Sequence, residues 1–424
     1  MSDALDCLTR LGEPQAYGGN PAHWDEAMAA RPAGPLPFLD IAAIPARRRA
    51  LGLADDADAP MAAAAAAIAA DPDLAQFLWY IHWRVYVAPE RGIPWGAPSL
   101  DRRLGDLSGA AYMLLGLEFP LFLTAVHRKR GYPPDVTAET LKQIVAYDIN
   151  HRRGRGWPGM YGNQFPWFAT YLTDPYVRLG RLEFQLHTYR GGVNAWRRTR
   201  DGAVLALAED GVRVDATGLR LRQDAPPNEG WTTRYVEEEA VVVGSPVDPA
   251  GRILPGTVRL DRSEWGPCLR RGDGVLDMHI PAGGGMTWEA CADSFRRALA
   301  FFPHYHPDLP FVGVVVSTWF MDPQLAEVLP QTANPLRLQR ATYMYPPPPA
   351  PGGMWFIFQQ STDDPAKLPR DSSLRRALAA FLETGRTWHG GGMFLLREDM
   401  AHPREGMYRE RFARLRAELS MNAP

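Results

Sequence analysis

The stretch VLDMHIPAGGGMTWEACADSFRRALAFF, residues 275–302, constrains the fold of this chain more than any other. Val275, Leu276, Met278 and Ile280, with Asp277 and His279 between them, form an apolar run that Pro281 stops, which reads as a strand. The turn Ala282-Gly283-Gly284-Gly285 follows. Thr287 is a suitable N-cap, and Trp288, Cys291, Phe295, Leu299 and Phe302 recur every three or four residues, so they share one face of an amphipathic helix. Strand, glycine turn and helix in this order predict a helix packed on a sheet. Such a turn also exposes backbone N–H groups at the positive end of the helix dipole, where an anionic phosphate is able to approach. A tight turn with no ligand is the alternative.

With 424 residues, 46% hydrophobic and 22% charged, the chain is long enough for two or three globular domains. The net charge of −2 argues against a basic nucleic-acid binder. No basic-then-apolar leader opens the sequence, and no window approaches a membrane span, so a soluble cytoplasmic protein with no membrane partner is expected. Cys7, Cys268 and Cys291 contain no C-x-x-C pair, which supports neither a disulfide framework nor a zinc ribbon. Oligomeric state is not legible.

The first 150 or so residues read as helical. Helices are expected near residues 24–30 and over the alanine run 62–70, read as a surface helix. After Asp71-Pro72-Asp73, a buried helix carries Leu74, Phe77, Leu78, Ile81 and Val85, thickened by Trp79, Trp83 and Tyr86. Further helices cover residues 107–126, interrupted at Pro120, and 137–149. Residues 151–168 are basic, then rich in Gly, Pro and aromatics, and read as a folded interdomain segment. Beyond them the period becomes two. Strands are expected at 179–189, 204–207, 237–243, 256–260, 311–320 and 343–345, another beginning at Met354, and a hairpin at Glu209-Asp210-Gly211. A short helix should follow Asp322-Pro323, and residues 373–384 read as the last helix, capped by serine. The fold class is α+β: an all-helical domain over residues 1–172, then a mixed β-sheet domain with flanking helices over 173–424.

RLEFQ at 181–185, HIPAGGGMT at 279–287, STWFMDPQLAEVLPQTANPLRLQ at 317–339, LPRDSSLRRAL at 368–378 and HGGGMFLL at 389–396 together carry a resemblance. The second half resembles the GNAT-like C-terminal domain of bacterial acyltransferases, which follows a helical N-acyltransferase N-terminal domain. The resemblance covers nearly the whole chain. It implies a sheet whose central strand leads into a glycine loop and helix that bind the coenzyme A pyrophosphate, with the next strand parallel and splayed away. Ile280, Ala282, Gly283, Gly284, Gly285, Met286 and Thr287 would form that loop, Gly283 and Gly285 in its two glycine positions. Ile280 stands where those enzymes usually carry Arg or Gln.

The resemblance implies acyl transfer from a coenzyme A thioester, as co-substrate, to an amine or other small-molecule acceptor, with no metal. An amine attacks only when uncharged, so the site needs a base and a donor for the developing oxyanion. His279, on the strand before the loop, is the first candidate base. Glu183, between Leu182 and Phe184, is the second, as a buried carboxylate with a raised pKa. Tyr343 is a candidate proton donor to the thiolate. No nucleophile elbow, phosphate loop of the G-K-[ST] kind or H-E-x-x-H pair occurs. His304 and His306 read as a surface turn. Arg152, Arg153 and Arg155 could meet phosphates or merely end a helix. The rival reading is a non-catalytic small-molecule-binding or regulatory protein on the same scaffold.

Overall fold

The computed structural model describes residues 4–13, 23–348, 353–360, 362 and 364–419. They fall into two compact units: one runs to Leu179 and includes Ile280–Gly284, and the other comprises Gly180–His279 and the residues from Gly285 onward.

The first unit is helical, and its aromatic helix forms where the sequence predicts it. Asp71 caps Pro72–His82, its carboxylate accepting from the N–H groups of Asp73 (3.0 Å) and Leu74 (3.3 Å). Leu74, Phe77, Leu78 and Ile81 are buried, and the helix widens into a π-helical turn at Trp83–Val87. The alanine helix Asp58–Ala70 departs from expectation: Met61, Ala64, Ala65 and Ile68 are buried, because small side chains let neighbouring helices approach closely. The 107–126 pattern divides into Ser108–Gly116 and Phe119–Lys129, with Pro120 in the first turn of the second helix, where its missing N–H is harmless. Residues 137–149 divide likewise into Pro134–Leu141 and Gln143–Arg155. The stretch Asp101–Lys129 is apolar and long enough to cross a membrane, yet 67% of its apolar window is buried in the protein, as in a core element.

In the second unit, a mixed sheet runs in spatial order Leu182–Thr188, Gly274–His279, Gly313–Thr318, Gly391–Leu396, Tyr343–Tyr345. Its parallel pair, Gly274–His279 with Gly313–Thr318, is joined through the helix Trp288–Tyr305, as expected for a crossover. A second, antiparallel sheet orders Arg252–Ile253, Pro246–Asp248, Val204–Ala208, Val193–Arg198, Trp265–Leu269.

Several local expectations are corrected here. Residues 237–243 are two strands, Tyr235–Glu237 and Val241–Gly244, joined by a hairpin closed by Glu238 N–H donating to Val241 O; three successive glutamates favour an exposed tip over a strand interior. Glu209-Asp210-Gly211 does not turn its flanking strands onto each other, since Arg213–Val214 pairs with Trp231–Thr232. Gly353–Phe358 is a helix: a continuous apolar run carries no period, and Ile357 and Phe358 are buried from a helical backbone. His304 and Tyr305 belong to the last turn of Trp288–Tyr305. The cap of Ser373–Glu383 is Ser372, and a further helix, Met407–Glu418, follows.

Candidate active site

The strand Gly274–His279 pairs along its whole length with Leu182–Thr188, from Gly274 opposite Thr188 to His279 opposite Glu183. Its parallel neighbour matches it only at Leu276 with Val314 and Asp277 with Val315. Beyond that point the strands part, while Val316, Ser317 and Thr318 stay paired to Met393, Gly392 and Gly391. The expected splay is present.

Strand alternation assigns the side chains around the gap. Phe184 meets Phe295 of the helix Trp288–Tyr305 edge-on, ring centroids 6.2 Å apart, so Phe184, Leu276 and Met278 belong to the helix-covered face. Glu183, Gln185, Asp277 and His279 share the other face. Register adds Ser317, Gly392 and Tyr345 to it. Glu183 is 1% exposed and the His279 side chain 30%, with its Nε2 4.0 Å from Asp277 Oδ2. Desolvation holds the His279 imidazole below the usual histidine value, with His187 adding to the effect and Asp277 opposing it. It is therefore neutral at pH 7, the form a base needs.

The helix after the turn starts as predicted: Thr287 Oγ1 accepts from Ala290 N–H at 3.2 Å. Gly283 and Gly285 take φ of +127° and +77°, which side chains rarely adopt, whereas Gly284 is outside that region. A Cβ on any of the three would meet no atom within 4 Å. Gly284, Gly285 and Thr287 are exposed; Ile280, Ala282 and Met286 are half-buried.

Tyr343 shares this face by register, but its hydroxyl is committed away from the gap. Its hydroxyl donates to Val247 O (2.5 Å) and accepts from Ala206 N–H (3.1 Å), tying the mixed sheet to the second sheet, and burial pushes its pKa well above 10. The sequence reading missed Tyr345, two residues on. Its ring lies across Gly392, where a Cβ would fall 2.5 Å from ring carbons. Its hydroxyl hydrogen-bonds with that of Tyr189, and burial raises its pKa to about 12. The signal available was a Tyr-x-Tyr strand with a later glycine run at 390–392. Ser317, exposed beside the gap, was seen only as part of a motif.

Two of the arginines after His151 make ion pairs within the helical unit. Arg152 binds Asp56 and Asp148, and Arg155 binds Asp101. Among the described residues no cluster of His, Cys, Asp and Glu could hold a metal.

The family model of the GNAT-like C-terminal domain matches residues 176–395, and that of the N-acyltransferase N-terminal domain matches residues 42–173. Among solved structures, an acyltransferase mutant in complex with octanoyl-CoA is similar over 93% of this chain and 99% of its own, at 23% identity and a TM-score of 0.61. An acyltransferase in complex with CoA and 10C-teicoplanin gives the same values. An acyltransferase in complex with decanoyl-CoA and teicoplanin is 24% identical over the same shares, with a TM-score of 0.58. At these identities the likeness is one of fold. No curated protein matches the chain.

Proposed function

This chain belongs to the GNAT-like C-terminal domain family, with an N-acyltransferase N-terminal domain ahead of it, and from that premise we propose that it transfers an acyl group from a coenzyme A thioester to an amine or other small-molecule acceptor. The observation that carries the reading is the parting of Gly274–His279 from Gly313–Thr318 just where His279 and Ser317 face the gap. The similar structures that hold CoA or acyl-CoA, two of them with a teicoplanin, support a thioester donor and a small-molecule acceptor.

The residues fit the donor. Gly283, Gly284 and Gly285 leave open space above the backbone, and the first turn of Trp288–Tyr305 offers N–H groups at the positive end of an 18-residue helix, which suits a pyrophosphate. The parted strand edges leave backbone N–H groups of the central strand available to the thioester oxygen as it gains charge. His279, neutral at working pH, accepts the proton that the attacking nitrogen loses. Glu183 stands opposite it and Asp277 beside it, so the imidazolium that forms is flanked by carboxyl groups. Ser317, on the far strand edge, is a hydroxyl beside the gap that can donate a hydrogen bond to the departing thiolate, while the imidazolium of His279 returns the proton that completes the thiol.

The test is acyl transfer measured with acetyl-CoA and octanoyl-CoA against a panel of amines, following free thiol release. Release that depends on both partners and is lost in His279→Gln supports the reading. Tight coenzyme binding with no transfer to any amine or hydroxyl acceptor would favour the non-catalytic binding protein.

A further inference from the structure

In the second unit an open surface depression of about 570 Å³ is lined by Gln331, Thr332, Arg337 and Arg340. Its two arginines project from one helix, Asn334–Ala341, three residues apart and hence on one face. A single carboxylate holds both. Glu405 Oε1 accepts from Arg337 Nε at 2.6 Å, and Glu405 Oε2 accepts from Arg340 Nε at 3.0 Å and Nη2 at 2.8 Å. Arg340 Nη1 donates to Gln331 O. Neither guanidinium is fully enclosed: the side chains keep 31% and 27% exposure.

Nearby, burial lowers the pKa of Arg409, with Asp248 opposing the effect and Arg340 adding to it, and its buried Nε has no hydrogen-bond partner. Glu405 thus serves two guanidinium groups, and the exposed Glu289 also reaches Arg337, 3.2 Å from its Nη2. Glu289 is the second residue of the helix Trp288–Tyr305, the helix whose N-terminus follows the glycine turn. The arginine depression and that helix N-terminus are therefore one ion pair apart. A ligand with two phosphate groups, one at each place, would satisfy both.

We propose that Arg337 and Arg340 form the subsite for the ribose 3′-phosphate of coenzyme A. The inference rests on the coenzyme reading above and extends it to donor selectivity. A phosphate monoester dianion offers three strong acceptors to guanidinium groups already held in place, so little side-chain freedom is lost on binding. Glu289 competes for Arg337 and swings away when the phosphate enters. Glu405 stays, fixing both forks.

Titration calorimetry with acetyl-CoA and with its 3′-dephospho form tests this. The parent should bind the 3′-phosphorylated donor about tenfold or more tightly, since each charge-assisted bond contributes at least that factor. Arg337→Gln with Arg340→Gln should abolish the preference while leaving affinity for the dephospho form within about twofold. Because those substitutions could disturb the helix they sit on, Glu289→Gln provides an independent arm: removing the exposed competitor should tighten binding of the 3′-phosphorylated form only. Equal affinity of the parent for the two donors overturns the subsite and leaves the coenzyme reading standing. Failure of the parent to bind either overturns both. A Glu289→Gln variant that binds the 3′-phosphorylated donor more weakly also overturns the subsite.

Discussion

His279 lies directly opposite Glu183 across the antiparallel pair, on the face of the sheet away from the helix Trp288–Tyr305, with Asp277 two residues back on the same face. Burial lowers the imidazole pKa from its usual 6.5 and Asp277 raises it in part. The acid limb of kcat should accordingly lie below pH 6.5. Asp277→Asn removes the raising influence, so the limb should move to still lower pH. His279→Gln should cost roughly a hundredfold to ten-thousandfold in kcat. A pH–rate series on the three proteins checks this; a limb unmoved in Asp277→Asn together with near-normal turnover in His279→Gln would remove His279 from the chemistry.

Gly284 is the one glycine of the turn that does not require a positive φ, and a side chain there meets empty space. Gly284→Val should therefore fold normally by circular dichroism while weakening acetyl-CoA binding by about a hundredfold, as two charge-assisted N–H bonds are lost. Gly283→Val, placed at φ +127°, should strain the backbone as well. Undiminished affinity in folded Gly284→Val would take the pyrophosphate away from this turn.

Tyr343→Phe separates structure from chemistry. It leaves Val247 O without its donor and Ala206 N–H without its acceptor in a buried place. Stability should fall by about 1–3 kcal/mol, read from denaturant unfolding, with kcat unchanged for the protein that remains folded. A selective loss of kcat at full stability would restore Tyr343 to the reaction.

The helical unit should be acid-sensitive. His82 is 2% exposed, neither ring nitrogen has a hydrogen-bond partner, and burial lowers its pKa to about 3; burial lowers His127 to about 4, with Arg130 adding to the effect. Both folded values are below the unfolded 6.5, so the unfolded chain binds more protons between the two. Stability is intact above pH 6.5 and falls as pH drops, by about 1.4 kcal/mol per unit for each histidine until its folded value is reached. His82→Phe should flatten the dependence of Tm on pH between about 6.5 and 4. A slope unchanged from the parent would show that His82 does not titrate on unfolding.

Gly109 marks a close approach inside the same unit. A Cβ there would sit 2.2 Å from His151 Nε2, and the ring is held by Nδ1 against Trp157 O at 2.9 Å. Gly109→Ala gains helix propensity, but the crowding should dominate and destabilise by about 1–3 kcal/mol. Thermal melting at pH 7 checks the sign.

Much of the fold was legible because its signals are local. Asp71 before Pro72 and Thr287 before Trp288 each mark a helix start by a hydrogen bond made within three residues. The strand, glycine turn and helix of residues 275–302 predicted a crossover, and a crossover predicts parallel neighbours. The errors fall where local pattern is ambiguous. MWFIF at 354–358 has no period to read, and an alanine run looks the same on a surface as between packed helices.

The sequence by itself determined the helical first half, the α+β second half, the parallel pair and His279 at the end of its first strand, while the splay of that pair was implied by the family resemblance. Only the tertiary structure decided which side chains stand with it. Glu183 belongs there because the register sets it opposite His279, and a shift of one residue would have turned it to the helix-covered face. Tyr343 and Tyr345 lie on one strand with the same alternation, yet one hydroxyl is bound to a second sheet while the other ring crosses Gly392. The arginine depression, too, joins residues from 289, 331–340 and 405, distant in the chain. Periodicity is written within ten residues, whereas register and tertiary neighbours depend on how distant segments pack.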